Sequence, residues 1–360
     1  MKSLEKTGRR ITLLAVMGVL WACDIPTDTP TLEQEWTFPI TETSVEVGEL
    51  LPEDVGLSED SSAFTLQMDP IFFQETLGNL CGACGPLDGL TVPKPAFEGD
   101  FHESVSLPAE VESAQVEEGR IAVEAQNQFG FDPLRPKGGE TGTFTLALHD
   151  GGPDGPVLDE VVVDGDDTSF GPGTTLNRDL EYSGSVSSSL SVTLNINSPA
   201  GGLEPGNWVP IELDDEIQVT ATPEVIEAAS AGISVAGEVF ETGVTALNVE
   251  GISKDVVDKV QAGLLQLEIV NPWSVAAVLN LTIVGPTMEA PVVLIAPIPA
   301  SPTSTVEVEF SQAELRSFLG EPDVILTGQG TVDQNAGTVT LTPGQLMTIF
   351  TKLDLVILVG

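Results

Sequence analysis

Apolar and polar residues alternate with a period of two through most of this chain, and that pattern predicts strands separated by turns. Residues 141–149 (TGTFTLALH) alternate cleanly, and residues 157–163 follow them across a Gly- and Asp-rich loop, so the two make a hairpin. Further strands are read at 43–47, 120–127, 179–186, 190–196 and 216–222. In the C-terminal part they fall at 264–270, 275–284, 291–298, 305–310, 324–331, 338–341 and 347–359. Residues 264–270 lack clean alternation, which implies burial on both faces; in 305–310 the acids point outward. Two helical turns are expected. Ser253 is placed as the N-cap of one, and Ser311-Gln-Ala-Glu314 forms a capping box for the other, with Gly320 as its stop.

The strand pattern occurs twice. Val116, Gly119, Ile121, Val123, Glu124, Asn127 and Phe129 are echoed 144 residues later by Val260, Gly263, Leu265, Leu267, Glu268, Asn271 and Trp273. Asn127 and Asn271 are expected to hold equivalent turn positions. A second series, from residues 192–219, reappears at 324–350 with a smaller offset, as a shorter loop in the later copy would produce. The fold class is therefore all-β: two tandem antiparallel β-sandwich modules with short helical turns, after a flexible N-terminal tether. The division expected is a leader over 1–22, a tether over 23–35 and a strand-and-loop segment over 36–103. The modules follow over 104–240 and 244–360.

Charge narrows the partners. Thirteen Lys and Arg stand against 55 Asp and Glu, a formal net charge of −42. Such a surface repels phosphate backbones, so nucleic acid is excluded as a partner class. With 41% hydrophobic residues the chain has ample core material.

The N-terminus has its own pattern. Residues 1–10 are basic and 11–22 form a largely apolar run, too short to span a bilayer and suited to a signal peptide. The run ends Leu20-Trp21-Ala22-Cys23, which resembles the lipobox of bacterial lipoproteins, although Trp21 departs from the usual small or polar middle residue. That resemblance implies cleavage before Cys23 and acylation of its sulfur, giving a membrane anchor through acyl chains; an ordinary secretory signal with a chance cysteine is the alternative. Residues 24–35 carry Pro26 and Pro30 and suit a polar tether.

Chemistry-bearing residues are few. Cys81-Gly-Ala-Cys84 reads as a disulfide in an oxidising envelope, in a loop suggested by Gly82, Gly85 and Pro86. A zinc site or a thioredoxin-like pair are the competing readings, and zinc would have to recruit His102 and His149. Asp164, Asp166 and Asp167 are weak calcium candidates, because Ser169 and Thr175 stand where an EF-hand needs Gly and Glu; a plain Asp-Gly turn is the alternative. No cofactor is called for. Neither a nucleophile elbow, a zincin helix nor a P-loop occurs, so no catalytic residue is assigned and the chain is read as not an enzyme. One Tyr, Tyr182, is too few for the aromatic girdles of an outer-membrane barrel.

The second module is similar to the WHy domain, the β-sandwich of late-embryogenesis-abundant type proteins. The likeness rests on Leu265-Gln-Leu-Glu-Ile-Val-Asn-Pro272, the strand 278–284, the acid-capped helix and Leu326-Thr-Gly-Gln-Gly330. It implies stress-protective or binding roles and no catalytic residues. The first module has Gln128 where that pattern has proline. The reading is a membrane-anchored, non-catalytic cell-envelope lipoprotein acting as a binding or structural module, with an envelope protein as its expected partner. Its expected place is the outer membrane rather than the inner. The alternatives are a carrier of lipid or another apolar ligand, and a calcium-stabilised surface adhesion protein.

Overall fold

β-branched and aromatic residues at every second position, interrupted by Gly, Pro, Asn and Asp, give strands with one buried face each. The structure, a computed structural model, describes residues 32–40, 42–135 and 140–359. The leader, Cys23 and the first part of the tether lie outside the described residues.

In chain order the early strands are β1 (Leu32–Pro39), β2 (Thr43–Glu46), β3 (Val55–Leu57), β4 (Phe64–Leu66), β5 (Ile71–Thr76), β6 (Leu90–Pro93) and β7 (Phe97–Ser106). The first repeat supplies β8 (Val111–Asn127), β9 (Thr143–Asp150), β10 (Val157–Asp164), β11 (Thr175–Ser187), β12 (Ser189–Ser198), β13 (Trp208–Ile211) and β14 (Glu216–Ser234). After β15 (Val239–Leu247) the second repeat supplies β16 (Val260–Val270), β17 (Ala277–Val284), β18 (Val292–Ile298), β19 (Thr303–Phe310), β20 (Val324–Val332), β21 (Thr338–Leu341) and β22 (Leu346–Val359).

The repeat governs topology. In the first sandwich one sheet contains β11-β8-β14 and the other is β10-β9-β12-β7. The second sandwich has β19-β16-β22 and β18-β17-β20-β15, the same orders strand for strand. All pairings are antiparallel. Inward residues such as Ile121, Val123, Leu146 and Leu194 in the first copy, and Leu265, Leu267, Leu279 and Leu281 in the second, fill the space between sheets. Two glycines make room for a cross-strand ring: Gly119 faces Tyr182 and Gly330 faces Phe240, and a Cβ on either would run into that ring.

Four expectations are corrected. Residues 264–270 do alternate: Leu265, Leu267 and Ile269 are buried while Glu268 and Val270 are exposed, because the outer face of this sheet meets solvent. The tether ends before residue 32, since β1 pairs along its whole length with β22, from Leu32 opposite Val359 to Pro39 opposite Lys352. Residues 36–103 are not a separate segment. Strands β1 and β2 add an edge to the second sandwich by pairing with β22, whereas β4 and β5 pair with β14 of the first. Finally, β7 belongs to the first sandwich and β15 to the second, so the first unit reaches back before residue 104 and ends at β14, before residue 240.

Candidate functional site

Cys81 and Cys84 form a disulfide with Cα atoms 5.2 Å apart, and both are buried. The segment is not a plain loop: a short helix (Leu77–Leu80) and a 3-10 helix (Gly82–Leu87) flank Cys81. Thr76 caps the first turn by accepting from the Asn79 amide at 3.3 Å. Buried sulfurs offer no access to an attacking thiolate, so this bond staples the turn that follows β5.

The acidic loop after β10 is built as a turn. The Asp166 amide donates to Asp164 Oδ1 at 2.8 Å, and the amides of Asp167 and Thr168 donate to the Asp164 carbonyl. The guanidinium of Arg135 donates to the carbonyls of Gly165 and Asp166. A bound cation would have to compete with that arginine for the same oxygens. Among the described residues no group of three His, Cys, Asp or Glu side chains is placed to hold a metal ion.

Asn127 and Asn271 end β8 and follow β16, and both are buried. Each donates its side-chain amide to the carbonyl four residues ahead, Asn127 to Phe131 at 2.9 Å and Asn271 to Val275 at 2.8 Å. Each also donates its backbone N–H to the residue just before the neighbouring strand, Thr174 or Pro302. Asn127 adds a bond to the Phe170 carbonyl. Their Oδ1 atoms accept from Phe129 and Ser274. These asparagines lock the strand ends and present nothing to solvent.

The two histidines fall on one surface, the outer face of the β10-β9-β12-β7 sheet. His102 on β7 lies opposite Thr193 of β12, while His149 of β9 places Nε2 3.1 Å from Thr193 Oγ1 and Nδ1 3.0 Å from the Gly155 carbonyl. Carboxylates Glu98, Asp100 and Glu160 share this face, together with Asn195 and Asn197.

The second sandwich differs between its two outer faces. On the sheet of β1, β22, β16 and β19, the outward positions include Glu35, Glu268, Glu307, Glu309, Lys352 and Asp354. A shallow trough of about 550 Å³ opens there, lined by Glu35, Thr37, Leu264, Glu309, Lys352 and Asp354 among others. The opposite face, on β15, β20, β17 and β18, is nearly free of charge. Its outward residues are Val239, Glu241, Val244 and Ala246 on β15, then Ile325, Thr327, Gln329 and Thr331 on β20. Val278, Asn280, Thr282 and Val284 continue it on β17, and Val293, Ile295 and Pro297 on β18. Glu241 is the single charge among them. Ile295 is 63% exposed and Val293 56%. Sequence reading found β17, β18 and β20 but neither β15 nor this surface, whose signal is Val, Thr, Asn and Gln at the outward phase where other faces use Glu and Asp.

No protein-family model and no curated protein matches this sequence. Among solved structures, the chain is similar to a Parabacteroides distasonis protein whose description as secreted is provisional, at 8% identity and a TM-score of 0.33, covering 89% of this chain and 99% of that one. An infectious bursal disease virus VP2 subviral particle matches at 12% identity and a TM-score of 0.22, covering 95% and 76%. The tandem CBM22-1–CBM22-2 domain of Paenibacillus barcinonensis Xyn10C matches at 8% identity and a TM-score of 0.18, covering 88% and 97%. At scores this low the matches assign neither a fold family nor a function.

Proposed function

We propose that this protein is a membrane-anchored, non-catalytic lipoprotein of the cell envelope that works as a binding or structural module. The observation that carries the binding part is the nearly uncharged outer face of β15-β20-β17-β18 on a molecule of formal net charge −42. Acidic faces keep such a protein soluble and apart from its neighbours, and a face stripped of charge is where contact costs least desolvation and repulsion. The anchor is Cys23 in its lipobox-like setting. A void between the sheets of the second sandwich, lined by Thr242, Thr245 and Thr351 with Leu and Ile, measures about 10 Å³, too small for an acyl chain. An inhibitor of lipoprotein signal peptidase should make the unprocessed precursor accumulate, and Cys23→Ser should release the mature protein from the membrane fraction. Unchanged processing and unchanged membrane association would defeat the anchor.

A further inference from the structure

The two sandwiches share strand order, which provides an internal control for surface composition. The sheet β10-β9-β12-β7 occupies in the first copy the place of β18-β17-β20-β15 in the second. Its outer face carries Glu98, Asp100, His102, Glu160 and Asp164, so the fold does not require this face to be uncharged. The second copy has lost that charge in one place, across four adjacent strands, and exposes Val278, Val293 and Ile295 there.

We propose that this face binds the same face of a second copy of the chain, as a two-fold, sheet-on-sheet dimer. The partner must itself be uncharged where it docks, since a basic partner would be drawn instead to the acidic faces. A second copy meets that condition except at Glu241, which lies on the end strand β15. Stacked β-branched side chains can interdigitate as they do between the sheets of one sandwich, with the side chains of Asn280, Thr282, Gln329 and Thr331 available to bond across the axis and Thr327 already donating to the Thr282 carbonyl. The edge of β18 is blunted: Pro291 precedes the strand, Pro297 lies in it and Pro299 follows it. Growth through the β18 edge is thereby suppressed, and a two-fold face-to-face contact closes at two. Four strands of seven to nine residues project to about 520 Å² per copy, below the roughly 800 Å² per partner of a standard interface. The pair is therefore weak in solution and gains from confinement of tethered copies on one membrane, which raises their effective concentration. This inference deepens the proposed binding role.

Two measurements test it. The chain from position 23 with Cys23→Ser keeps every described residue. In sedimentation velocity it should pass from monomer to dimer as protein concentration rises, with more dimer at high salt, where repulsion between acidic molecules is screened. Val293→Glu and Ile295→Glu should return it to monomer without moving the thermal midpoint measured at concentrations where the parent is monomeric, whereas Val162→Glu on β10 should leave the dimer unchanged. A monomer at all concentrations and salts would overturn the proposal, as would a dimer indifferent to both glutamates or lost with Val162→Glu. In cells, the full chain with Asn280→Cys should give a disulfide-linked homodimer under mild oxidation and the chain with Val162→Cys should not; crosslinking that is absent, or equal for the two, would reject it. Failure of Cys23 processing would remove the anchor and leave the sedimentation result untouched, so the two claims fail separately.

Discussion

Asn127 and Asn271 are small residues with large structural consequences, because each satisfies backbone groups that burial has cut off from water. Asn127 serves the Phe131 and Phe170 carbonyls and the Phe129 amide, while Asn271 serves the Val275 carbonyl and the Ser274 amide. Leaving a buried polar group unpaired costs about 1–3 kcal/mol. Asn271→Ala should therefore lower unfolding free energy by about 2 kcal/mol in urea titration, and Asn127→Ala by more. Equal, negligible losses would mean that water replaces the amides. Lys94 carries the opposite tension. It is buried, its ammonium donates to the Pro199 carbonyl, and burial pushes its pKa down to about 8 against the pull of Asp132. The unfolded chain holds this proton up to about 10.5, so the penalty on folding is full below about pH 8 and fades as pH rises from about 8 to about 10.5. Lys94→Met should raise the melting temperature at pH 7, by a margin that shrinks toward pH 10. Above about 10 a second effect enters: burial raises the Tyr182 pKa, so the unfolded state loses that proton first and stability falls.

At the scale of single elements, a short ring needs its staple. Closing a loop as small as Cys81–Cys84 contributes about 2 kcal/mol by chain entropy, so replacing both cysteines by alanine should lower the unfolding free energy by about that much, and no loss would assign the ring no stabilising part. What could be read in advance follows from patterning. The strands β9, β10, β16, β17, β19 and β22 alternate between core and solvent, and the capping box of residues 311–314 forms as its residue types dictate. Strands β7 and β15 escaped. In β7, Gly99 and Glu103 interrupt the inward phase of Phe97, Phe101 and Val105, and β15 breaks its register at a bulge between Glu241 and Val244. The second half of β14 was hidden too, because its irregular register against β8 disrupts the period of two. The uncharged face was illegible for another reason. It joins four strands that lie up to about ninety residues apart and becomes one surface only when their order is known.

At the scale of the whole molecule, the two sandwiches are stitched together by the segment that precedes them. The chain first lays β1 and β2 against β22, the last strand of the second sandwich, and then β4 and β5 against β14, the last strand of the first. It also pairs β21 of the second repeat with the end of β14, from Ala231 opposite Leu341 to Ser234 opposite Thr338. A repeat cut at its sequence boundaries therefore loses edges on both sides. Residues 104–240 expressed alone would leave β14 without β4, β5 and β21, and β12 without most of β7, and unpaired edges of that length invite association with other chains. Such a fragment should aggregate or remain poorly folded. A piece beginning at residue 55 restores β3 to β7 and should be more soluble and melt more cooperatively. The complete chain from residue 32 buries one continuous core and should unfold in a single transition by calorimetry. Two resolved transitions, or a 104–240 fragment as stable as the longer piece, would show that the N-terminal strands decorate the sandwiches without completing them.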